Sequence, residues 1–219
     1  MDVVRATMAV NNAATSRTEV IITAMPTMQQ VMSHITGWPR PLQWQEFPHV
    51  AVSRDPPNLA ECSASFRLAT MQMVGRPDAA TINPNFRIEV FLNRNPTPGD
   101  SGSWVVNGSE TVELLRHEQG HYDLAGLAAR EYSRELLELL AEGPMDSAAI
   151  PGRVNAMNDQ IVRELATINE RYDHRTLGTN HGLNTRIQDR WNTFIPRHIT
   201  TFLEPDLSWI EDFTIILSG

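Results

Sequence analysis

The chain has 219 residues, enough for one sizeable hydrophobic core, and it carries a formal net charge of −8. Lysine and arginine total 18 against 26 acidic residues and form no dense cluster, which argues against nucleic acid as a partner. The single cysteine, Cys62, excludes an internal disulfide and a cysteine-based zinc knuckle, and we interpret it as an inert small side chain.

The apolar runs and the ends of the chain bear on location and domain organisation. No run approaches the roughly 20 apolar residues of a membrane helix, so no span is predicted. The N-terminal runs are also too short for a signal peptide, so we expect a cytoplasmic protein or one exported by another route. Residues 1–18 are predicted to be a flexible leader, residues 19–195 one catalytic domain, and residues 196–219 a C-terminal extension with a strand at Phe213–Leu217.

The first half of the sequence is predicted to be rich in strands. A short helix is expected at Pro26–Ile35, opened by its proline. Ile88, Val90 and Leu92 alternate along the chain, as in a strand with one face against a core. The predicted strands are Glu19–Thr23, Leu42–Phe47, Ala64–Val74, Asn85–Asn93 and the short apolar segment Trp104–Val106.

The second half is predicted to be helical. The run from Thr111 to Gly143 is rich in Leu, Ala, Glu and Arg, contains no internal proline, and ends at a Gly-Pro pair. An amphipathic pattern over Val154–Arg171 predicts a second helix that backs the first. The fold class predicted from this order is α+β, with an N-terminal mixed sheet, a long helix and a backing helix.

The long helix carries the most informative motif, His117-Glu118-Gln119-Gly120-His121. Residues i and i+4 lie about 40° apart around a helix axis, so His117 and His121 can direct ring nitrogens at one metal ion. Zinc is the expected ion, and Glu118 is placed to take a proton from a water beside it. An interior glycine costs about 1 kcal/mol, so Gly120 indicates a close approach by another element.

The third metal ligand is not on the same helix. Leu127 stands at the position where a metzincin has its third ligand, so the metzincin class of zinc peptidases is excluded. Glu131 shares the histidine face but lies roughly 15 Å along the axis from His121, and Asp123 points away from the histidine pair. Both are therefore excluded.

A polar segment after the second helix, residues 172–182, is the remaining source of that ligand. Our first choice is His181, with His174 and Asp173 as alternatives. Tyr172 is predicted to donate a hydrogen bond to a developing oxyanion, ahead of Arg175 or His174.

These motifs resemble the DUF922 family of bacterial proteins of unknown function. The resemblance covers roughly residues 20 to 195 and rests on Leu42–Phe47, the small residues of 60–64, Ser103-Trp104, Leu114–Asp123, Tyr172-Asp173, Thr179-x-His181-Gly182, Gln188 and Trp191. It implies a zincin-like peptidase. In that architecture a sheet edge above the helix pairs with extended substrate, and by position Arg87–Asn93 or Ser103–Val106 would supply it, unless these strands are internal.

The function expected from the sequence is a zinc-dependent hydrolase, foremost a metalloendopeptidase with a protein or peptide substrate. Its metal ligands would be His117, His121 and His181, and its catalytic residues Glu118 and Tyr172. Three alternatives stay open: a metallopeptidase effector or toxin acting on a host or rival protein, a zinc amidase acting on cell-wall peptides, and a non-catalytic zinc-binding module.

Overall fold

The computed structural model describes residues 25–174 and 178–201 and has an α+β architecture, as expected. The helices are α1 Met28–Met32, α2 Val112–Ala141, α3 Ala149–Asp173 and α4 Thr185–Thr200. The strands are β1 Ile35–Thr36, β2 His49–Val50, β3 Ala60–Glu61, β4 Ala64–Thr70, β5 Met73–Arg76, β6 Ala79–Ile82, β7 Arg87–Leu92 and β8 Trp104–Val106. The predicted strands at Glu19–Thr23 and Phe213–Leu217, and Arg175, lie outside the described residues.

The strands form three small sheets. In the first, β7 lies between β1, which is parallel to it, and β4, which is antiparallel. In the second, β8 lies between β2 and β3, and β5 and β6 form a separate hairpin. Both strands considered as substrate-binding edges, β7 and β8, are therefore internal, which was the alternative to an edge position. Among the described strands, β1 and β4 are the edges of the first sheet and β2 and β3 the edges of the second, and β3 is followed closely by β4 in the chain.

Helix α2 forms the centre of the molecule. It begins at Thr111, whose side chain accepts a hydrogen bond from the Leu114 backbone N–H, and it ends before Gly143, which has a φ of +90°. It packs against β4 and β7 on one side and against α3 and α4 on the other. Trp38 lies directly on Gly126, where a Cβ would come within 2.1 Å of the indole. The predicted long helix is thus confirmed and is buried over most of its length.

Helices α3 and α4 bring distant segments back to the start of α2. The loop of residues 142–148 reverses the chain, so α3 runs back along α2 and its last residue, Asp173, lies beside the beginning of α2. Helix α4 then runs alongside α2 and buries Trp191 and Ile195. None of the described helices is apolar enough over a sufficient length to cross a membrane.

Several local predictions need correction. Leu42–Phe47 is not a strand: Trp44–Glu46 forms a 3₁₀ turn, because the Glu46 carboxylate accepts a hydrogen bond from the Gln43 backbone. Ala64–Val74 is divided into β4 and β5, and the helix expected at Pro26–Ile35 is confined to α1. Helix α4 was missed, and it continues across the domain boundary predicted after residue 195.

Candidate metal centre

Three ligand atoms from α2 and α3 converge at one point. His117 Nε2 and His121 Nε2 are 3.3 Å apart, and Asp173 Oδ1 lies 3.1 Å from the first and 3.0 Å from the second. Ligands bonded to zinc at about 2.0–2.1 Å in a tetrahedron are about 3.3 Å from one another. The triangle therefore has the dimensions of one face of a tetrahedral zinc site.

The carboxylate oxygen at this point is buried without a hydrogen-bond donor. Asp173 Oδ1 is close to both imidazoles but meets neither in hydrogen-bonding geometry, and Glu118 Oε2 beside it is also buried without a partner. A buried carboxylate oxygen without a donor is costly. A cation would satisfy it, so the donor set fits a divalent metal.

The second ring nitrogen of each histidine is held by an acceptor. His117 Nδ1 lies 3.1 Å from Gln188 Oε1 and 3.3 Å from Thr179 Oγ1, whose own hydroxyl donates to the Tyr172 carbonyl. His121 Nδ1 lies 2.9 Å from Asn169 Oδ1. Since these partners accept, each Nδ1 carries a proton, and Nε2 is left as the nitrogen that can bind a metal in the neutral imidazole. Such fixing of the tautomer is typical of metal-binding histidines.

The segment after α3 places His181 next to this cluster. Asn180, His181 and Gly182 all have positive φ, and Gly182 packs against the side chain of His117. Positive φ is uncommon outside glycine and recurs at functional sites. His181 Nδ1 is 3.8 Å from Asp173 Oδ1, and the His181 side chain is 35% exposed. It therefore lies on the open side of the cluster, farther from the common point than Asp173.

Glu118 is buried next to the histidines. Its burial raises the pKa of its carboxyl to about 8, although the Cys62 backbone hydrogen bond and the charge of His121 oppose the shift. Cys62 itself is buried, and burial raises the pKa of its thiol, which agrees with an inert side chain. A carboxylate with a raised pKa in a buried site is suited to accept and return a proton.

The charges of the three converging groups depend on one another. Burial lowers the pKa of His117, and the nearby Asp173 only partly compensates. Burial would also lower the pKa of His121, but its attraction to Asp173 outweighs this and raises the pKa to about 9. Burial opposes ionisation of Asp173, yet the two histidines hold its pKa well below the usual range. Asp173 is thus an anion, as a metal ligand must be.

Tyr172 packs against the His117 imidazole and the backbone of α2. Its ring stacks on the His117 imidazole with centroids 4.8 Å apart, and its hydroxyl donates to the His117 carbonyl while accepting from Gln188 Nε2. Gly120 makes this possible, because a Cβ there would lie 2.1 Å from the Tyr172 hydroxyl. Burial raises the pKa of Tyr172 strongly. The hydroxyl is thus engaged with the helix backbone and with Gln188, whereas the sequence predicted that it would donate to an oxyanion.

The cluster forms the floor of a cavity of about 560 Å³. Its opposite wall is the connection from β3 to β4, residues 60–64, with the loop around Asp100. The described residues that line the cavity are Asp55, Asn58, Ala60, Glu61, Cys62, Ser63, Ala64, Gly99, Asp100, His117, Glu118, His121, Ala166, Asn169, Asp173 and His181.

A family model for bacterial proteins of unknown function, DUF922, matches residues 46–182, more than half of the chain. The chain belongs to the DUF922 family. No curated protein and no solved structure matches it. The DUF922 match includes the helix motif and the segment from Tyr172 to Gly182, and it ends before Gln188, which nevertheless holds His117.

The structure thus brings together most of the residues predicted for the site. His117, Glu118, His121 and His181 line one cavity, and Asp173, predicted as an alternative ligand, lies closest to the histidine pair. His174 follows α3 and belongs to neither cluster of potential metal ligands among the described residues. Asn169 was missed, although it lies four residues before Asp173 and so shares its helix face.

Proposed function

We propose that this DUF922 protein is a zinc-dependent hydrolase, and specifically a metalloendopeptidase with a zincin-like arrangement of helix and sheet edge. The observation that carries the proposal is the convergence of His117 Nε2, His121 Nε2 and Asp173 Oδ1 beside Glu118, whose Oε2 is buried without a partner. Three protein ligands with an open side are typical of catalytic zinc sites, and four closed ligands are typical of structural ones.

The three ligands proposed are His117, His121 and Asp173. A zinc ion bound by them would acidify a water and polarise a carbonyl group. Glu118 accepts the proton of the attacking water and returns it to the leaving amine, as its burial next to the site allows. Asn169 and Gln188 keep the two imidazoles in the required tautomer.

His181 takes the role of oxyanion donor in this proposal. It lies on the open side of the cluster and lines the cavity, whereas the Tyr172 hydroxyl is engaged with backbone. An imidazole N–H directed at the substrate oxygen stabilises the charge that develops there. Tyr172 instead fixes the position of His117.

The substrate chain is proposed to lie along residues 60–64. This segment connects two edge strands and forms the cavity wall that faces α2. Extended peptides bind to exposed strand edges through main-chain hydrogen bonds. The arrangement would place a peptide between the edge and the metal ligands.

Substitution of Glu118 tests the proposal most directly. Glu118→Gln removes the base and keeps the side-chain shape, so we expect peptide hydrolysis to fall by at least about a thousandfold with zinc stoichiometry unchanged. Activity is measured on a mixed peptide library, and zinc by atomic absorption. Glu113→Gln, one turn earlier and exposed, is the matched control. Undiminished hydrolysis by purified Glu118→Gln protein contradicts the proposed function.

A second pair of variants distinguishes the third metal ligand from the oxyanion donor. We expect Asp173→Ala to lose zinc as His117→Ala does, and His181→Ala to retain zinc while kcat falls by about 100- to 1,000-fold. Loss of zinc from His181→Ala with retention in Asp173→Ala would instead identify His181 as the third ligand.

A further inference from the structure

The wall of the cavity opposite the zinc ligands is acidic. Asp55, Glu61 and Asp100 line it and form what we call the acidic wall. Arginine is absent from the described lining residues, and within the described part of the chain none of the three carboxylates forms an ion pair. Arg54, on the same rim, donates to the carbonyl of Ser101. Within the described residues, the carboxylates of the wall are therefore not paired directly with a basic side chain.

Neutral donors fix two of these carboxylates in place. Asp100 accepts hydrogen bonds from Ser63 Oγ at 2.9 Å, Asn93 Nδ2 at 2.6 Å and the Gly102 backbone at 2.8 Å. Burial would raise the pKa of Asp100, but these bonds lower it, so the group stays ionised.

Glu61 is held in the same way. It accepts from Trp104 Nε1 at 2.8 Å and from the Ser101 hydroxyl. Such an arrangement keeps two negative charges at fixed positions without neutralising them.

The cavity remains negative even with the proposed metal. The two positive charges of a divalent ion balance at most the negative charges of Asp173 and Glu118. The negative charges of the acidic wall then remain. Glu118 Oε2, which is buried without a partner, belongs to a residue that lines the same cavity, so the cavity also offers a free acceptor to a ligand. A cleft lined by one sign of charge concentrates ligands of the opposite sign.

The way these carboxylates are held favours an ammonium group over a guanidinium. Arginine binds a carboxylate best through two parallel bonds, which require both oxygens to be open. Both oxygens of Asp100 already accept bonds, and one oxygen of Glu61 accepts two. Lysine is a compact charge that needs only one remaining lone pair from each carboxylate.

The composition of the chain agrees with this preference. All 18 basic residues are arginine. A peptidase selective for lysine would not cleave this chain, whereas one selective for arginine would have many potential sites in it.

We infer that the acidic wall selects a lysine side chain next to the scissile bond of a polypeptide substrate. The inference rests on the proposed function and assigns specificity to Asp55, Glu61 and Asp100, which take no part in the bond cleavage itself.

The test compares peptides that differ at one position, with lysine, arginine or the neutral isostere norleucine. Wild-type protein loaded with zinc is assayed for kcat/KM, and Glu118→Gln protein for peptide affinity by fluorescence anisotropy. We expect the lysine peptide to exceed norleucine by about tenfold or more in both measurements, and arginine to fall between them.

Neutral variants locate the effect. Asp100→Asn and Glu61→Gln should each reduce the ratio of kcat/KM for the lysine peptide to kcat/KM for the norleucine peptide to near unity. Asp55→Asn changes an exposed carboxylate that accepts a single side-chain hydrogen bond, from Asn58, so this variant is expected to fold. It should reduce the lysine preference several-fold. Asp78→Asn, on the β5–β6 hairpin, is the charge-matched control.

The outcomes separate this inference from the proposed function. Efficient cleavage with equal kcat/KM for lysine and norleucine overturns the acidic-wall inference and leaves the peptidase intact. Lysine-dependent binding to Glu118→Gln protein without any cleavage by the wild type supports the acidic wall and contradicts the peptidase. Equal affinity for all three peptides in that binding measurement overturns the inference regardless of activity.

Discussion

At the scale of single residues, the site depends on groups that hold the histidines. Tyr172 stacks on His117 and bonds to its carbonyl, and Gly120 leaves the space for that ring. Gln188 bonds to both His117 and the Tyr172 hydroxyl. These residues contact His117, the proposed metal ligand, and they are not among the residues that line the cavity, so their effect on the proposed chemistry is indirect.

Gly120→Ala tests the close packing of Tyr172 on α2. The added Cβ would lie 2.1 Å from the Tyr172 hydroxyl and 2.6 Å from its ring, so Tyr172 must move and release His117. We expect a loss of about 1–3 kcal/mol of stability, as for other overpacked sites, with weaker zinc binding. Urea denaturation and zinc titration measure these.

Gly152→Ala on α3 is the control for this prediction. Its Cβ would meet nothing within 4 Å, so alanine should stabilise the helix by about 0.5–1 kcal/mol. Equal effects of the two substitutions would show that Tyr172 is not packed against Gly120.

Gln188→Leu tests the hydrogen bond to His117. Loss of an acceptor for Nδ1 frees the tautomer, so we expect zinc affinity to fall by about 10- to 100-fold with little change of fold. Competition with a fluorescent chelator measures the affinity. Gln160→Leu, exposed on α3, is the control. Unchanged affinity in Gln188→Leu would contradict the orienting role.

At the scale of elements, α2 also contains a buried ionic cluster far from the metal ligands. The Glu131 carboxylate lies 3.3 Å from Arg130 and 2.9 Å from Arg134, and all three side chains are buried. Glu131 lies on the same face of α2 as His117 and His121, but its carboxylate pairs with arginines and stabilises the packing of the helix. Arg130 additionally donates to the His198 carbonyl, which joins α4 to the middle of α2.

Glu131→Gln removes the carboxylate that two buried guanidinium groups share, while Arg134 keeps its ion pair with Glu138. We expect a loss of about 3–5 kcal/mol of unfolding free energy, measured by urea denaturation with zinc content unchanged in the folded fraction. Glu138→Gln, which breaks the partly exposed bridge to Arg134, should cost less than about 1 kcal/mol. Similar losses in both variants would contradict the burial of the cluster.

The elements that the sequence did not predict have no recognisable apolar period in the sequence. The buried face of α4 consists of Gln188, Trp191, Ile195 and His198, so half of it is polar and the apolar period is hidden. Strands of two residues, such as β1 and β2, are too short to show any alternation. Both kinds of element are stabilised by the neighbours that they contact.

At the scale of the whole molecule, the proposed metal would join segments distant in sequence. His117 and His121 belong to α2 and Asp173 to the end of α3, so an ion between them ties the two long helices together. Ligands that bind only the native state stabilise it in proportion to their affinity.

Removal of the metal by a chelator should therefore lower the melting temperature. At a thousandfold excess of zinc over its Kd the stabilisation is about 4 kcal/mol, which corresponds to roughly 10 °C for a chain of this size. Scanning calorimetry with and without chelator measures the shift. His117→Ala/His121→Ala protein should show no response. A chelator-insensitive melting temperature in the wild type would argue against a site that links α2 and α3.

The sequence by itself determined the α+β class, helix α2 and the placing of His117, Glu118 and His121 on one helix. These depend on local periodicity and on spacings of four residues or fewer. It also limited the candidates for a further ligand to residues 172–182, of which Asp173 and His181 lie beside the histidines.

Only the tertiary structure decided the rest. The packing of α3, α4 and the sheets on α2 decides three features. These are the proximity of Asp173 to the histidine pair, the hydrogen bond of the Tyr172 hydroxyl to the helix backbone, and the internal positions of β7 and β8. The partners of His121 and His117 lie 48 and 71 residues away in the chain. No local pattern encodes contacts of that separation, because they are fixed by the burial of faces that meet only in the folded chain.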